Sequence, residues 1–238
     1  MDGKGTLYMI PCPIGEGGDP YDVLPLHNRE VIRSLDYFVV ENARTARRFL
    51  SRAGIGKPIA ELEMAELNEH TPPQEVEGLL EPLLEGRDGG MISEAGVPGV
   101  ADPGADLAAL CHRHGIRVVP LVGPSSILLA LMASGLNGQS FAFNGYLPVK
   151  PPERARAIRH YERRALAEGQ SQIFIEAPYR NAKLLDELFA VCQPETRLTV
   201  AADLLEPGEY VRTATVREWK AAPRPQINKR PAIFILGK

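Results

Sequence analysis

The feature that most restricts the fold is an alternation of short apolar runs with stretches of helical periodicity through the first half of the chain. Thr6 to Ile10, Tyr37 to Val40, Pro58 to Leu62, Met91-Ile92 and Arg117 to Val122 read as strands. Between them, about Val23 to Leu35, Ala43 to Ala53, Pro73 to Glu85 and Asp106 to about His114 repeat apolar residues at helical spacing, with Gly54 stopping the second helix. Strands alternating with helices imply a mostly parallel sheet with helices on both faces.

Glycine and proline concentrate directly after three of these strands. Gly89 to Gly104 holds five glycines and two prolines between a minimal strand and a helix. Pro11 to Pro20 is a second such loop, and Gly123-Pro124-Ser125-Ser126 turns into an apolar helix. The carboxyl ends of strands are where open α/β sheets bind ligands, so the loops 11–20, 93–104 and 123–126 predict a cleft on one sheet edge. Glycine lets backbone approach a ligand closely, and proline holds a loop rigid. The spacing in Gly15-Glu16-Gly17-Gly18-Asp19-Pro20 does not fit the dinucleotide fingerprint, and no P-loop lysine with serine or threonine is present. A neutral, proline-walled cleft suits a ligand with an amino-acid end and a nucleoside but no phosphate.

The pattern changes at Leu147-Pro148-Val149-Lys150-Pro151-Pro152, a proline-rich connector, with Phe141-Ala142-Phe143 as the first strand of the second domain. Downstream, Arg154 to Ala167 and Asn181 to Val191 read as helices, and Gln172 to Ile175 and Leu198 to Ala201 as strands. Tyr210 to Val216 and Ala232 to Leu236 are two further strands with no long helix between them, which makes the second sheet mixed. The expected organisation is two α/β domains, residues 1–138 and 139–238.

Net charge is −3 and the isoelectric point near 6.0, so no global positive field draws the chain to nucleic acid or membrane, and such binding needs a local patch. Cys12, Cys111 and Cys192 are odd in number and far apart, which argues for a reducing compartment and against a metal site. The N-terminus lacks the apolar core of a signal peptide, and the longest apolar window, Ile127 to Leu136, falls far short of the ~20 residues of a membrane span. The expectation is a cytoplasmic protein.

Several segments in register resemble the tetrapyrrole methylase superfamily of S-adenosylmethionine-dependent methyltransferases, and within it the bacterial 16S ribosomal RNA cytidine 2'-O-methyltransferase branch. Pro11-Cys12-Pro13-Ile14-Gly15 is similar to that branch's first loop. Ile92 to Pro98 followed by Ala101-Asp102-Pro103-Gly104 is similar to its S-D-A-G-x-P and S-D-P-G loop, and Val122 to Ser126 to its G-P-S turn. Glu41-Asn42-Ala43-Arg44-Thr45 resembles its E-D-T-R segment and Ile175 to Arg180 its E-S-P-H-R segment. The resemblance implies cofactor bound between two domains, and a homodimer. By position it implies cofactor contacts from Pro13, Ile14, Gly96, Val97, Val100, Ser125 and Ser126, with Ala177 and Ala202 from the second domain. It also implies small-subunit ribosomal RNA as partner and ribose 2'-O-methylation as reaction.

The sequence departs from the branch at Asn42, where aspartate is usual, and at Ala202 to Glu206, where a lysine is usual; it also ends at its final strand. Methyl transfer thus follows from the resemblance more directly than the acceptor. A tetrapyrrole or other small acceptor, and a non-catalytic cofactor-binding homologue, are the alternatives. Transfer to a hydroxyl needs no metal but does need a base in reach of its proton. The strand-end carboxylates Glu41 and Glu176 are the candidates, while Glu94 and Asp102 are expected to shape their loop. For an anionic acceptor, Arg44, Arg47, Arg48 and Arg52 on one helix, and Arg156, Arg159 and Arg163 with Lys150 and His160 on another, offer two positive faces, with Arg44, Arg156 and Arg159 the expected contacts.

Overall fold

The computed structural model describes residues 3–15, 17–68 and 71–238, which divide into two compact units, Met1–Ser125 and Ser126–Lys238. Met1, Asp2 and Glu16, the last within the first expected loop, lie outside the described residues.

The first unit is built on strands β1 (Thr6–Ile10), β2 (Tyr37–Val40), β3 (Glu63–Glu66), β4 (Gly89–Ile92) and β5 (Arg117–Pro120). They pair in the order β3-β2-β4-β1-β5, and every pairing is parallel. β2 and β4 are buried along their whole length, as strands covered on both faces must be. Between the strands run α1 (Leu26–Ser34), α2 (Ala43–Arg52), the short α3 (Pro73–Gly78) and α4 (Glu81–Leu84), and α5 (Ala105–Arg113). One face packs Ile32 and Leu35 of the α1 segment and Phe49 and Leu50 of α2 against Ile10, Phe38 and Val40. The other packs Leu80, Leu83, Leu107 and Cys111 against Leu7, Val39 and Met91.

Two sequence expectations change here. The strand expected at Pro58 to Leu62 is a single 3-10 turn at Ile59–Glu61, and pairing begins one residue past that range, at Glu63. β3 is an edge strand and bonds only β2, so it needs little apolar character and its two glutamates stay exposed. The single helix expected over Pro73 to Glu85 is two short ones. Pro82 lacks the N–H that would continue the first, and sits instead in the opening turn of the second.

The second unit opens with α6 (Ser126–Ser134), followed by β6 (Phe141–Tyr146), α7 (Pro151–Glu168), β7 (Ser171–Ile175), α8 (Asn181–Val191), β8 (Arg197–Ala202), β9 (Tyr210–Thr215), α9 (Val216–Ala221) and β10 (Ala232–Gly237). Its sheet runs β6-β7-β10-β8-β9, parallel only between β6 and β7. α6 packs Ile127, Ala130 and Leu131 on Ile173, Ala201, Ile233 and Ile235, so this helix goes with the second sheet although it precedes the expected boundary at 138. The proline connector is partly helical: Pro151 and Pro152 form the first turn of α7, where a missing N–H costs nothing. Trp219 fixes α9, fully buried with its indole N–H donating to the Leu198 carbonyl at 2.8 Å. Cys12, Cys111 and Cys192 are buried and unpaired.

Candidate functional site

Because β1, β2, β4 and β5 are parallel, the segments that leave their carboxyl ends all emerge on one edge of the first sheet. Cys12 and Gly96 form an isolated bridge, the Cys12 N–H donating to the Gly96 carbonyl at 2.8 Å and the Gly96 N–H to the Cys12 carbonyl at 3.2 Å. A Cβ on Gly96 would lie 3.8 Å from the Pro124 carbonyl, so the third loop sits beside the other two. At Gly123 a Cβ would fall 2.3 Å from Pro11, so only glycine lets these two loops touch. The amide of Asn28, a buried residue of α1, closes the group by donating to the Val122 carbonyl at 2.9 Å. The structure therefore brings together Pro13, Ile14, Gly96, Val97 and Ser125, all half-buried, with Val100 at 47% exposure on the loop's outer side.

This edge carries carboxylates. Glu41, just past β2, accepts the Glu94 N–H at 3.0 Å, and Glu94 in turn accepts the Thr45 hydroxyl at 3.2 Å. Burial first, then the neighbouring charge of Glu41, pushes the Asp102 carboxyl from 3.8 up to about 6, with the Ser93 hydroxyl opposing and Glu94 adding a little. The same surroundings push the Cys12 thiol up to about 12, again chiefly by burial. Asp102 was expected only to shape its loop; its shift depends on neighbours that converge through the fold and left no mark in the spacing.

The raised proton affinity of Asp102 ties stability to pH. Unfolded, Asp102 loses its proton near 3.8; folded, near 6, so between those values the folded chain holds the extra proton and stability falls as pH rises through that window. Asp102→Asn, neutral throughout, should melt above the parent protein at pH 8, with the margin closing by pH 4. Thermal unfolding across that range would show an unchanging margin if Asp102 were instead an ordinary surface carboxylate.

Asn42 caps α2, accepting the N–H of Arg44 at 2.9 Å and of Thr45 at 3.3 Å. Asparagine and aspartate cap about equally well, so the departure at this position leaves the helix start intact. Arg44 stands exposed on that first turn.

In the second unit β7 and β8 both run antiparallel to β10, so they share a direction, and Ala177 and Ala202 leave the same edge of that sheet. Glu176, however, is no free base. Its Oε1 accepts from the Ala177 N–H at 2.8 Å and from Arg180 at 2.8 and 2.6 Å, and its Oε2 faces Arg154 at 3.7 Å in a fully buried setting. Arg154, expected at the start of a charged helix, is 1% exposed and also meets Glu187 at 3.3 Å. A carboxylate held between two guanidiniums positions the turn at Pro178–Arg180; its Oε2 makes no hydrogen bond but is buried against Arg154, closed off from an acceptor proton. Arg156 and Arg159 are exposed on α7 and make no ion pair among the described residues.

Residues 6–220 match the family model for Tetrapyrrole (Corrin/Porphyrin) Methylases. The chain belongs to the tetrapyrrole methylase family. Among curated relatives of this tetrapyrrole methylase, Ribosomal RNA small subunit methyltransferase I of Escherichia coli O157:H7 is 32% identical over 98% of this chain and 77% of its own length. The protein of that name from Neisseria meningitidis serogroup B is 34% identical over 92% of this chain and 70% of its own. The crystal structure of the methyltransferase CobJ superposes with a TM-score of 0.65 over 98% of this chain and 94% of that one, at 18% identity, a likeness of fold. As a tetrapyrrole methylase, the chain is a methyltransferase.

Proposed function

We propose that this methyltransferase uses S-adenosylmethionine to methylate a ribose 2'-hydroxyl of small-subunit ribosomal RNA. The observation that carries this reading is the run of relatives, 30 to 34% identical across nearly the whole chain, that share the name Ribosomal RNA small subunit methyltransferase I. The structure's own residues fit the cofactor. The three loops make a proline-walled surface, and the N–H groups of Ile14, Val97 and Ser125 donate to no described group, leaving backbone donors for an amino-acid end and a nucleoside. We assign the cofactor contacts to Pro13, Ile14, Gly96, Val97, Val100 and Ser125 of the first unit, with Ser126, Ala177 and Ala202 from the second. When bound, the cofactor supplies a methyl group on a sulfonium, open to direct displacement.

Asp102 is the base we assign. A carboxylate that titrates near 6 is better matched to neutral pH than one at 3.8. Glu41 holds the loop through the Glu94 N–H and keeps the Asp102 proton affinity high. We further propose a homodimer working in the cytoplasm, with Arg44, Arg156 and Arg159 facing the RNA. No helix among the described residues is long and apolar enough to cross a membrane.

Labelled methyl donor incubated with small ribosomal subunits that lack the modification, beside a panel of tetrapyrroles, tests the reading. Label in a tetrapyrrole alone would replace it with the small-molecule alternative, and label in neither would leave a cofactor-binding homologue without this reaction.

Gly96→Leu probes the cofactor surface. Gly96 has φ of +72°, so any side chain costs roughly 1–3 kcal/mol of backbone strain, yet its Cβ meets nothing closer than 3.8 Å and the protein should stay folded. Calorimetry should show S-adenosylhomocysteine affinity reduced about tenfold or more, or 1.4 kcal/mol upward. Parental affinity in the variant would place the cofactor elsewhere.

A further inference from the structure

Six arginines gather on the outer surface of α1 and α2 in a chain whose net charge is −3. Arg44, Arg48 and Arg52 repeat every four residues along α2, about 6 Å per step at roughly 1.5 Å per residue, and Arg47 stands beside them. The row starts next to Asn42 at the carboxylate edge and ends at the turn Ala53-Gly54. There Arg29 and Arg33 of α1 join it: a Cβ on Gly54 would lie 3.3 Å from Arg29 Nη2 and 3.7 Å from Arg33 Nη2, so two guanidiniums flank one glycine.

None of the six forms an ion pair among the described residues. Arg33 donates to the Gly54 carbonyl at 2.7 Å, and Arg52 to the carbonyls of Gly17 and Gly18 at 3.0 and 2.6 Å. These bonds fix the guanidiniums without neutralising them. Arg29 Nε is buried with no hydrogen-bond partner. The nearby carboxylates, Asp19 and Asp22, are spent on their own turn, capping the N–H groups of Tyr21 and Asp19. Basic side chains at the carboxyl end of α2 gain something from its dipole, but that accounts for the last turn only, not for Arg44 and Arg48 at its start and middle.

We infer that this row is a phosphodiester track along which the RNA acceptor runs from the carboxylate edge down to Gly54. Guanidiniums that meet no carboxylate, three of them evenly spaced along one helix, suit a polymer of regularly spaced anions better than a single small one. The inference rests on the RNA reading above and extends it from a reacting nucleotide to the strand beyond it.

Binding of a labelled single-stranded RNA oligonucleotide, measured against salt, tests the track, together with methylation of unmodified small ribosomal subunits. Arg29→Glu with Arg33→Glu, and separately Arg44→Glu with Arg48→Glu, should each weaken RNA binding at least tenfold near 0.1 M salt. Each pair should also lower the log-log salt slope by about 1.4, two contacts at roughly 0.7 each. S-adenosylhomocysteine affinity should not change. Arg113→Glu with Arg117→Glu, on exposed positions away from the track, makes the same charge change and should leave RNA binding near the parent value. Should the Arg29 and Arg33 variant fail to fold, the exposed Arg44 and Arg48 pair still decides. Parental RNA binding in that pair, or equal loss in the Arg113 and Arg117 control, overturns the track and leaves the RNA reading standing. A parent protein that neither binds nor methylates RNA overturns both.

Discussion

Asp102→Asn is expected to keep its affinity for S-adenosylhomocysteine and to lose methyl transfer by about 10²- to 10⁴-fold, the span a positioned general base contributes. A ribose hydroxyl holds its proton tightly, and the oxygen can attack a methyl group only as that proton leaves. With its carboxyl raised to about 6, Asp102 is protonated and idle in acid and becomes competent as pH rises through that value, so the parent enzyme should gain activity across pH 5 to 7. Glu41→Gln sharpens the test. Its amide oxygen can still accept the Glu94 N–H, so the loop is kept, while one of the charges raising Asp102 is removed. The acid limb of the pH profile should therefore move to lower pH with much of the activity retained. Parental turnover in Asp102→Asn, or an acid limb that Glu41→Gln fails to move, would take the base away from Asp102. The same Asp102→Asn change that removes activity is the one expected to raise the melting temperature in alkali, a direct trade of stability against function.

The largest stability effect should come from the second unit. Arg154→Ala removes a guanidinium that donates to the carbonyls of Pro148 and Val149 at 2.8 and 2.9 Å and faces Glu187 and Glu176 at 3.3 and 3.7 Å. The cost should be ~3–5 kcal/mol, because a buried carboxylate loses one of its two guanidiniums and two carbonyls lose their donor at once. Urea unfolding at unchanged slope is the measurement. Adding Glu176→Gln to Arg154→Ala should recover part of the loss, since the buried charge left with Arg180 alone is then gone. A loss below about 1 kcal/mol would put the network in the class of exposed pairs and contradict its burial.

The sequence is legible to different depths at different residues. The parallel sheet was readable because β2 and β4 lie between helices and are apolar throughout, and the three loops because glycine and proline mark them. Yet of the five glycines between 89 and 104, two do not belong to a ligand loop. Gly89 and Gly90 are β4 itself, where a Cβ would press on Tyr37 and Leu83 or on Ile10 and Phe38 at 2.6 to 3.1 Å. Composition cannot separate a glycine that admits a neighbouring side chain from one that admits a ligand. β3 was misplaced because an edge strand carries little apolar signal. α6 is apolar on nearly every side, so nothing in its sequence says which sheet it covers. The Arg154 network was invisible for a related reason: an arginine beside a glutamate on a helix reads the same whether it meets water or a second buried carboxylate. Asp102 was recognised as a motif residue, but its shifted proton affinity arises in part from Glu41, far away in sequence and brought close only by the parallel order of β2 and β4.

The buried thiols of Cys12, Cys111 and Cys192 have a chemical consequence. Burial pushes all three up, Cys12 to about 12 and Cys111 to about 11, so at neutral pH the thiolate that oxidants and alkylating agents require is almost absent. Folded, the chain is closed to both kinds of reagent; unfolded, each thiol returns to an ordinary acidity and to solvent. Its cysteines are therefore silent in the native state and report, by their modification, the moments when either unit opens.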